Sequence, residues 1–330
     1  MRVELSEIVL KLRHPVMTSR GAITQRDGIL VQVSDGGVTG WGEAMPLPGW
    51  PGADRSATQS ALEAWAADPD PWELPSECFA HGAVELALLD LEARRRGQTQ
   101  AAVLAAGGAV ADSIELNALV SDADTAAAAV SAGFRTLKLK VGASDLDEDV
   151  TSVAAVRSAI GADTRLRLDA NGAWTAEEAA EALVRLEQYE IEYVEEPVTG
   201  IESLAQVAPQ SPIPVAVDDS LSSVDAQIPE SIAVVVLKPM ALGGPRTAIA
   251  AARHWADQGR KVVVTNYMDS AVGQHAALSV AAALPGRPQV HGTITPHLFT
   301  QDIAELPLVT HGRCPLPPHS PAPVGINLDD

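Results

Sequence analysis

Across 330 residues, 43 acidic side chains stand against 23 basic ones for a formal charge of −20, and 46% of the residues are hydrophobic. That length and apolar content suffice for a large core in one big domain or two, while the acidic balance argues against a nucleic-acid partner, because phosphate binding draws on clustered cations. No apolar run nears the roughly 18 residues of a membrane span. The opening MRVELSEIVLKLRHP lacks a signal-type apolar block, and Cys78 and Cys314 have neither metal nor redox spacing, which together point to a cytoplasmic location and a small-molecule partner.

In chain order, RVELSEIVLKL and GILVQVSD read as strands and DGG as a turn. The segment GWGEAMPLPGWPG follows, and then helical stretches around SATQSALEAWAAD and AHGAVELALLDLEARRRG. Strands first and helices after imply a small α+β unit. From residue 113 short β-rich runs alternate with helical segments: SIELNALV, TLKLKVG, RLRLDAN, IEYVEEP, IPVAVDDS, IAVVVLKP, KVVVTNY and QVHGTITP. The intervening segments carry helix spacing, acidic starts and glycine ends. Eight such repeats predict a (β/α)₈-type barrel rather than a doubly wound sheet, for which six strands would normally be enough. The proline-rich tail RCPLPPHSPAPVGINLDD cannot continue the barrel and is expected to return to the N-terminal unit.

Five consecutive runs finish in a charged residue: Lys140, Asp169, Glu195 or Glu196, Asp218 or Asp219, and Lys238. Each alone reads more simply as a turn residue, a helix cap or surface charge. In a barrel, however, the C-terminal strand ends share one mouth, so all five would face a common pocket. Three carboxylate ligands with no cysteine or well-placed histidine beside them suit Mg²⁺. Such an ion stabilises a substrate carboxylate that loses its α-proton. A lysine serves as the base if its pKa falls well below the usual value, and a like charge two residues away lowers it, so Lys138 would tune Lys140.

The ordered series KLK, LDANGAW, VEEP, VDDS and VVLKP resembles the enolase superfamily in its muconate-lactonizing subgroup. The resemblance implies a (β/α)₇β TIM-like barrel over residues 106–299, and an α+β capping domain over 1–105 completed by the tail 300–330. It implies Asp169, Glu195 and Asp218 as ligands of Mg²⁺, with Mn²⁺ able to substitute, and Asp219 stands where relatives usually carry glutamate. Alternation sets Arg167 beside Asp169 as a charge partner, and Asn171 is expected to support that ligand. Within the subgroup, QRDGILVQV and GWGEAMPLPGW resemble the o-succinylbenzoate synthases of menaquinone biosynthesis, carbon-oxygen lyases that dehydrate a cyclohexadiene carboxylate. In that reading Lys140 removes the α-proton and then protonates the departing hydroxyl, while Lys238 stabilises the intermediate as a cation. Thr265, Asn266 and the backbone N–H of Gly292 replace a serine-rich run as donors to the succinyl carboxylate. His291 and His297 are as readily structural as catalytic. An N-acylamino acid racemase or dipeptide epimerase remains the alternative, although HGTITPHLF lacks the acidic motif of such epimerases. A barrel that only binds a ligand is less consistent with five retained groups.

Overall fold

The computed structural model describes residues 1–18, 21–49, 52–286, 289–296 and 298–323, so His297 and residues 324–330 lie outside it. Chain order begins with β1 (Arg2–Thr18), β2 (Gly21–Asp35) and β3 (Val38–Ala44), an antiparallel sheet in that order. Helices α1 (Arg55–Ala67), α2 (Cys78–Arg96) and α3 (Gln100–Ala105) follow. Glu77 caps the start of α2, Arg94, Arg95 and Arg96 complement its carboxyl end, and left-handed Gly97 stops it. The pattern did not single out β3, because Gly40 and Gly42 weaken a strand signal. Their function is steric: a Cβ at either would collide with the backbone oxygen of Ala87 or Ala83 on α2. Only glycine lets the helix lie this close to the sheet.

The second unit starts at β4 (Ser113–Leu116) and β5 (Ala118–Val120), one run broken at Asn117, and continues through α4 (Ala123–Ser131), β6 (Thr136–Lys140), α5 (Leu146–Ile160), β7 (Arg165–Asp169) and α6 (Ala176–Leu186). Then come β8 (Ile191–Glu195), α7 (Ile201–Val207), β9 (Val215–Val217), β10 (Val234–Leu237), α8 (Pro245–Asp257), β11 (Lys261–Val264), α9 (Ala271–Ala283), β12 (Val290–His291) and β13 (Arg313–Pro315). Strands β5 to β11 form a parallel sheet. A bridge between Thr265 and Gly292 joins β11 to the β12 side, and β12 pairs in parallel with β4, so the ring closes. This is a TIM-like barrel with a separate antiparallel cap, as the sequence predicts.

Two details differ from the sequence reading. Residues 218–233, the connection between β9 and β10, contain no helix. Pro229 interrupts that stretch, and Ser222, Ser223 and Asp225 favour local backbone bonds over a helix. The tail serves both units: β13 adds antiparallel to β4 of the barrel, while Ser320 meets Arg94 and Asp90 on α2.

Outside the ring, alternate strand residues such as Leu137, Leu139, Leu166, Leu168, Val235 and Leu237 pack on the helices in one large cluster. Inside, Tyr193, Ala216, Val234, Val236 and Val263 form a small apolar plug. Period-two alternation then puts the next inward residue of each strand above that plug, at the mouth.

Candidate active site

Leu137 and Leu139 point outward on β6, so Lys138 and Lys140 point inward, with Lys140 in register with Asp169 of β7. The strand end is fixed by Val141 N–H donating to Asp169 O at 2.9 Å and by Gly142 N–H donating to Asp149 Oδ2 of α5 at 2.7 Å. Glu195 is in register with Asp169 and with Ala216, and Asp218 stands two residues beyond Ala216. Asp169 is 4% exposed, Glu195 1% and Asp218 9%, so three carboxylates are buried around one point of the mouth.

Buried carboxylates must be compensated. Lys138 Nζ lies 3.0 Å from Asp169 Oδ2 and 3.1 Å from Glu195 Oε2. Across the mouth, Lys238 Nζ lies 2.7 Å from Asp218 Oδ1 and 2.6 Å from Asp219 Oδ1. Burial alone would lower both lysine pKa values, but the facing carboxylates outweigh it and raise them, so both remain ammonium. Burial raises the Glu195 and Asp218 carboxyls, whereas for Asp169 the charges of Lys138 and Lys140 overcome burial and hold it low. Lys140 differs from the other two lysines. It is exposed, and its side-chain amine, among the described residues, makes no direct hydrogen bond or ion pair, which leaves that amine to a ligand.

The geometry revises several expectations. Lys138, expected to act on Lys140, instead turns its amine to two carboxylates, Asp169 and Glu195. Arg167 does not pair with Asp169. Its Nε donates to Glu192 Oε2 at 2.7 Å, its Nη1 donates to Val290 O at 3.0 Å, and its guanidinium stacks 4.9 Å from the Tyr193 ring, one layer below the mouth. Support from Asn171 comes through its backbone, whose N–H donates to Asp169 Oδ1 at 3.2 Å from a left-handed φ of 49°. The Gly292 N–H donates to Val264 O at 2.9 Å to close the barrel, so it is not available to a substrate. Asn266 Nδ2 is likewise committed, to Gly292 O at 3.2 Å and Thr295 Oγ1 at 3.0 Å, and Thr265 Oγ1 donates to Gly292 O at 3.1 Å. His291 Nδ1 accepts Val264 N–H at 3.0 Å, and burial pushes its pKa down to about 3, so it is a neutral structural residue.

Two further residues shape the site: Glu196, which the sequence offered only as an alternative to Glu195, and Tyr267, which it did not single out. Glu196, the second acid of VEEP, accepts the N–H groups of Asp218 at 2.8 Å and Ser220 at 2.9 Å and so builds the turn that carries Asp218. Its own left-handed φ of 47° turns it away from Glu195. Tyr267 roofs Lys238, its ring centroid 5.4 Å from Nζ. With Asp218, Asp219 and Val236 they line a cavity of about 40 Å³. The doubled acid was a signal for Glu196; an aromatic two residues after Thr265 was a weak one for Tyr267.

The donor set fits a hard divalent ion in chemistry: all oxygen, buried, and with Asp218 Oδ1 making no well-angled hydrogen bond despite its nearness to Lys238. Among the described residues no three acidic, histidine or cysteine side chains stand at ligand spacing as placed. Lys138 sits between Asp169 and Glu195, where it supplies the positive charge that an ion would bring.

Residues 121–329 match the family model described as Enolase C-terminal domain-like, and residues 2–85 match the model of the MenC N-terminal domain. The chain is 31% identical over 312 residues to an o-succinylbenzoate synthase of Thermobifida fusca, covering 92% of this chain and 85% of that one. It is 32% identical over 305 residues to a hydrophobic dipeptide epimerase of Roseobacter litoralis, covering 86% and 88% respectively. Among solved structures, a dipeptide epimerase of Enterococcus faecalis complexed with Mg and L-Leu-L-Tyr superposes with a TM-score of 0.83 at 23% identity, over 97% of both chains, and so shares the fold.

Proposed function

The chain belongs to the enolase superfamily, and we propose that within it the protein is an o-succinylbenzoate synthase acting in menaquinone biosynthesis. Its substrate would be 2-succinyl-6-hydroxy-2,4-cyclohexadiene-1-carboxylate, which loses water to give o-succinylbenzoate. The observation that carries this reading over its relatives' other reactions is the match of residues 2–85 to the MenC N-terminal domain. In this proposal residues 1–105 with 300–330 form the cap over a barrel of residues 106–299.

The roles follow from placement. Lys140, exposed at the mouth, takes the proton α to the ring carboxylate on Nζ and returns it to the departing hydroxyl, so base and acid are one group on one face. Lys238 remains an ammonium on the other side and faces the negative charge that develops. Lys138 holds Asp169 and Glu195 apart and in place. Asp169, Glu195 and Asp218 would hold Mg²⁺, the ion typical of this superfamily, which would offset charge building on the substrate carboxylate as its proton leaves. Thr265 remains a candidate contact for the distal carboxylate, because its O–H can leave Gly292 O and donate to the ligand instead.

Full-length protein, Mg²⁺ and the cyclohexadiene substrate test this directly through loss of substrate absorbance, with EDTA as control. EDTA-sensitive conversion is expected; no conversion at any Mg²⁺ concentration would remove the proposal. A second reading, dipeptide epimerisation, is favoured by one specific observation: the Roseobacter relative spans this chain almost as widely as the synthase does. Lys140 and Lys238 would then work from opposite faces of one α-carbon. Incorporation of deuterium from D₂O into a hydrophobic dipeptide, without elimination, would identify it.

A further inference from the structure

Tyr267 lies at the junction of the two units, its ring 5.4 Å from Lys238 Nζ below and 6.0 Å from the ring of Phe79 on α2 above. The backbone that carries it, between β11 and α9, is irregular and passes through a left-handed Met268 at φ 53°. It is tethered by a residue of the cap. Arg26 of β2 is 1% exposed, and its guanidinium donates to Met268 O at 3.3 Å, to Tyr267 O at 3.4 Å, to Pro46 O at 3.1 Å and to Met45 O. All four acceptors are carbonyls, two from a cap loop and two from the barrel loop beside Lys238. Arginine's rigid five-donor fork spans such a pair of loops, whereas lysine's point charge does not.

Burying a guanidinium is costly, and the nearby charges of Asp269 and Glu43, with which it forms no described hydrogen bond, offset only part of that cost. Joining two loops does not in itself require that cost, since neutral side chains do it elsewhere in the same mouth, as Asn266 does. The distinguishing outcome is the position of the Tyr267 ring over Lys238. We propose that Arg26 is a positioning residue which clamps Tyr267 and Met268 against Met45 and Pro46, fixes the Tyr267 ring over Lys238, and keeps water from that side of the ammonium. The placement stands on geometry alone; its effect on turnover rests on the part given to Lys238 above.

The chain has only five lysines, Lys11, Lys138, Lys140, Lys238 and Lys261, so full-length protein labelled with ¹³C at the lysine ε carbon gives a sparse NMR spectrum. Loss of one resonance in Lys238→Arg assigns Lys238. Its ε-CH₂ resonance carries a ring-current shift from Tyr267, and Tyr267→Leu marks where it moves without the ring. Arg26→Met is expected to move the Lys238 resonance to that same position and to leave Lys11 and Lys261 unmoved. In turnover of the cyclohexadiene substrate, Arg26→Met should lower kcat about tenfold with KM little changed, and should lower it no further in a Tyr267→Leu background. A folded Arg26→Met protein with Lys238 at its wild-type position, or an undiminished loss of kcat in the Tyr267→Leu background, overturns the proposal. If circular dichroism shows that Arg26→Met does not fold, Arg26→Lys keeps the buried charge without the span and carries the same expectation. Should the substrate prove to be a different one, the resonance position still decides on the clamp, so the two failures appear in separate measurements.

Discussion

At the scale of single residues, Lys138 and a divalent ion would answer the same need, the neutralisation of Asp169 and Glu195. Removing one member of a buried ion pair commonly costs about 3–5 kcal/mol, because the remaining charge is left uncompensated. Lys138→Met should therefore melt well below wild type in EDTA and recover most of that loss when Mg²⁺ is added; a melting temperature indifferent to Mg²⁺ would count against a shared site. Asp169→Asn should weaken Mg²⁺ binding in a calorimetric titration. Lys140→Ala should abolish turnover with Mg²⁺ affinity nearly intact, since Lys140 makes no direct ion pair with the ligand carboxylates and acts on Asp169 only through its charge beside that of Lys138. The strand-end charges were legible from the sequence because alternation and barrel topology determine where they point. Which acid each lysine meets was not, because that depends on side-chain reach across neighbouring strands. Arg167 illustrates the gap: its inward orientation was readable, but its partner Glu192 was hidden by the register shift between β7 and β8.

At the scale of elements, α8 and α9 begin where the barrel meets the cap; α9 has a local cap, Ser270 Oγ accepting Val272 N–H at 3.1 Å, and both helices also draw carboxylates from outside the barrel. Gly244 at the start of α8 has no capping side chain of its own, and Glu85 of α2 accepts Arg246 N–H at 2.6 Å in its place. At α9, Glu43 of β3 accepts Ser270 N–H at 3.0 Å, and Asp302 accepts Ala271 N–H at 3.0 Å. No local pattern could announce the distant carboxylates Glu85, Glu43 and Asp302, since [ST]-x-x-E signals operate within a few residues. By contrast, the capping box of Thr175 and Glu178 on α6 is local and was read as an acidic start. Glu43 has a measurable consequence. Burial, then the charge of Asp269, pushes its pKa from 4.5 up to about 8. Between those values the folded state holds a proton that the unfolded chain has released, so stability falls as pH rises from about 4.5 to 8. Urea midpoints should accordingly drop between pH 6 and pH 8.5, and Glu43→Gln should flatten that drop; an unchanged slope would place the proton elsewhere.

At the scale of the whole molecule, one apolar cluster joins Ile8, Leu10 and Leu12 of β1 with Leu86 of α2, Met240 and Val272 of the barrel, and Phe299 and Ile303 beyond it. A core shared in this way predicts a single cooperative transition rather than separate melting of cap and barrel. Phe299→Ala should cost about 3–5 kcal/mol and lower that one transition without splitting it, which scanning calorimetry would reveal. The same sharing sets an order in time. Thr300 Oγ1 donates to Lys11 O across 289 residues of chain, Leu12 bridges Phe299, and β4 gains its neighbours only at β12 and β13. A ribosome adding 5–20 residues per second needs about 15–60 s to cover that distance. For that interval the outer edge of β1 at residues 11–13, and from its synthesis onward both edges of β4, stand unpaired, so the nascent chain is open there to strand-to-strand association that the finished molecule closes off.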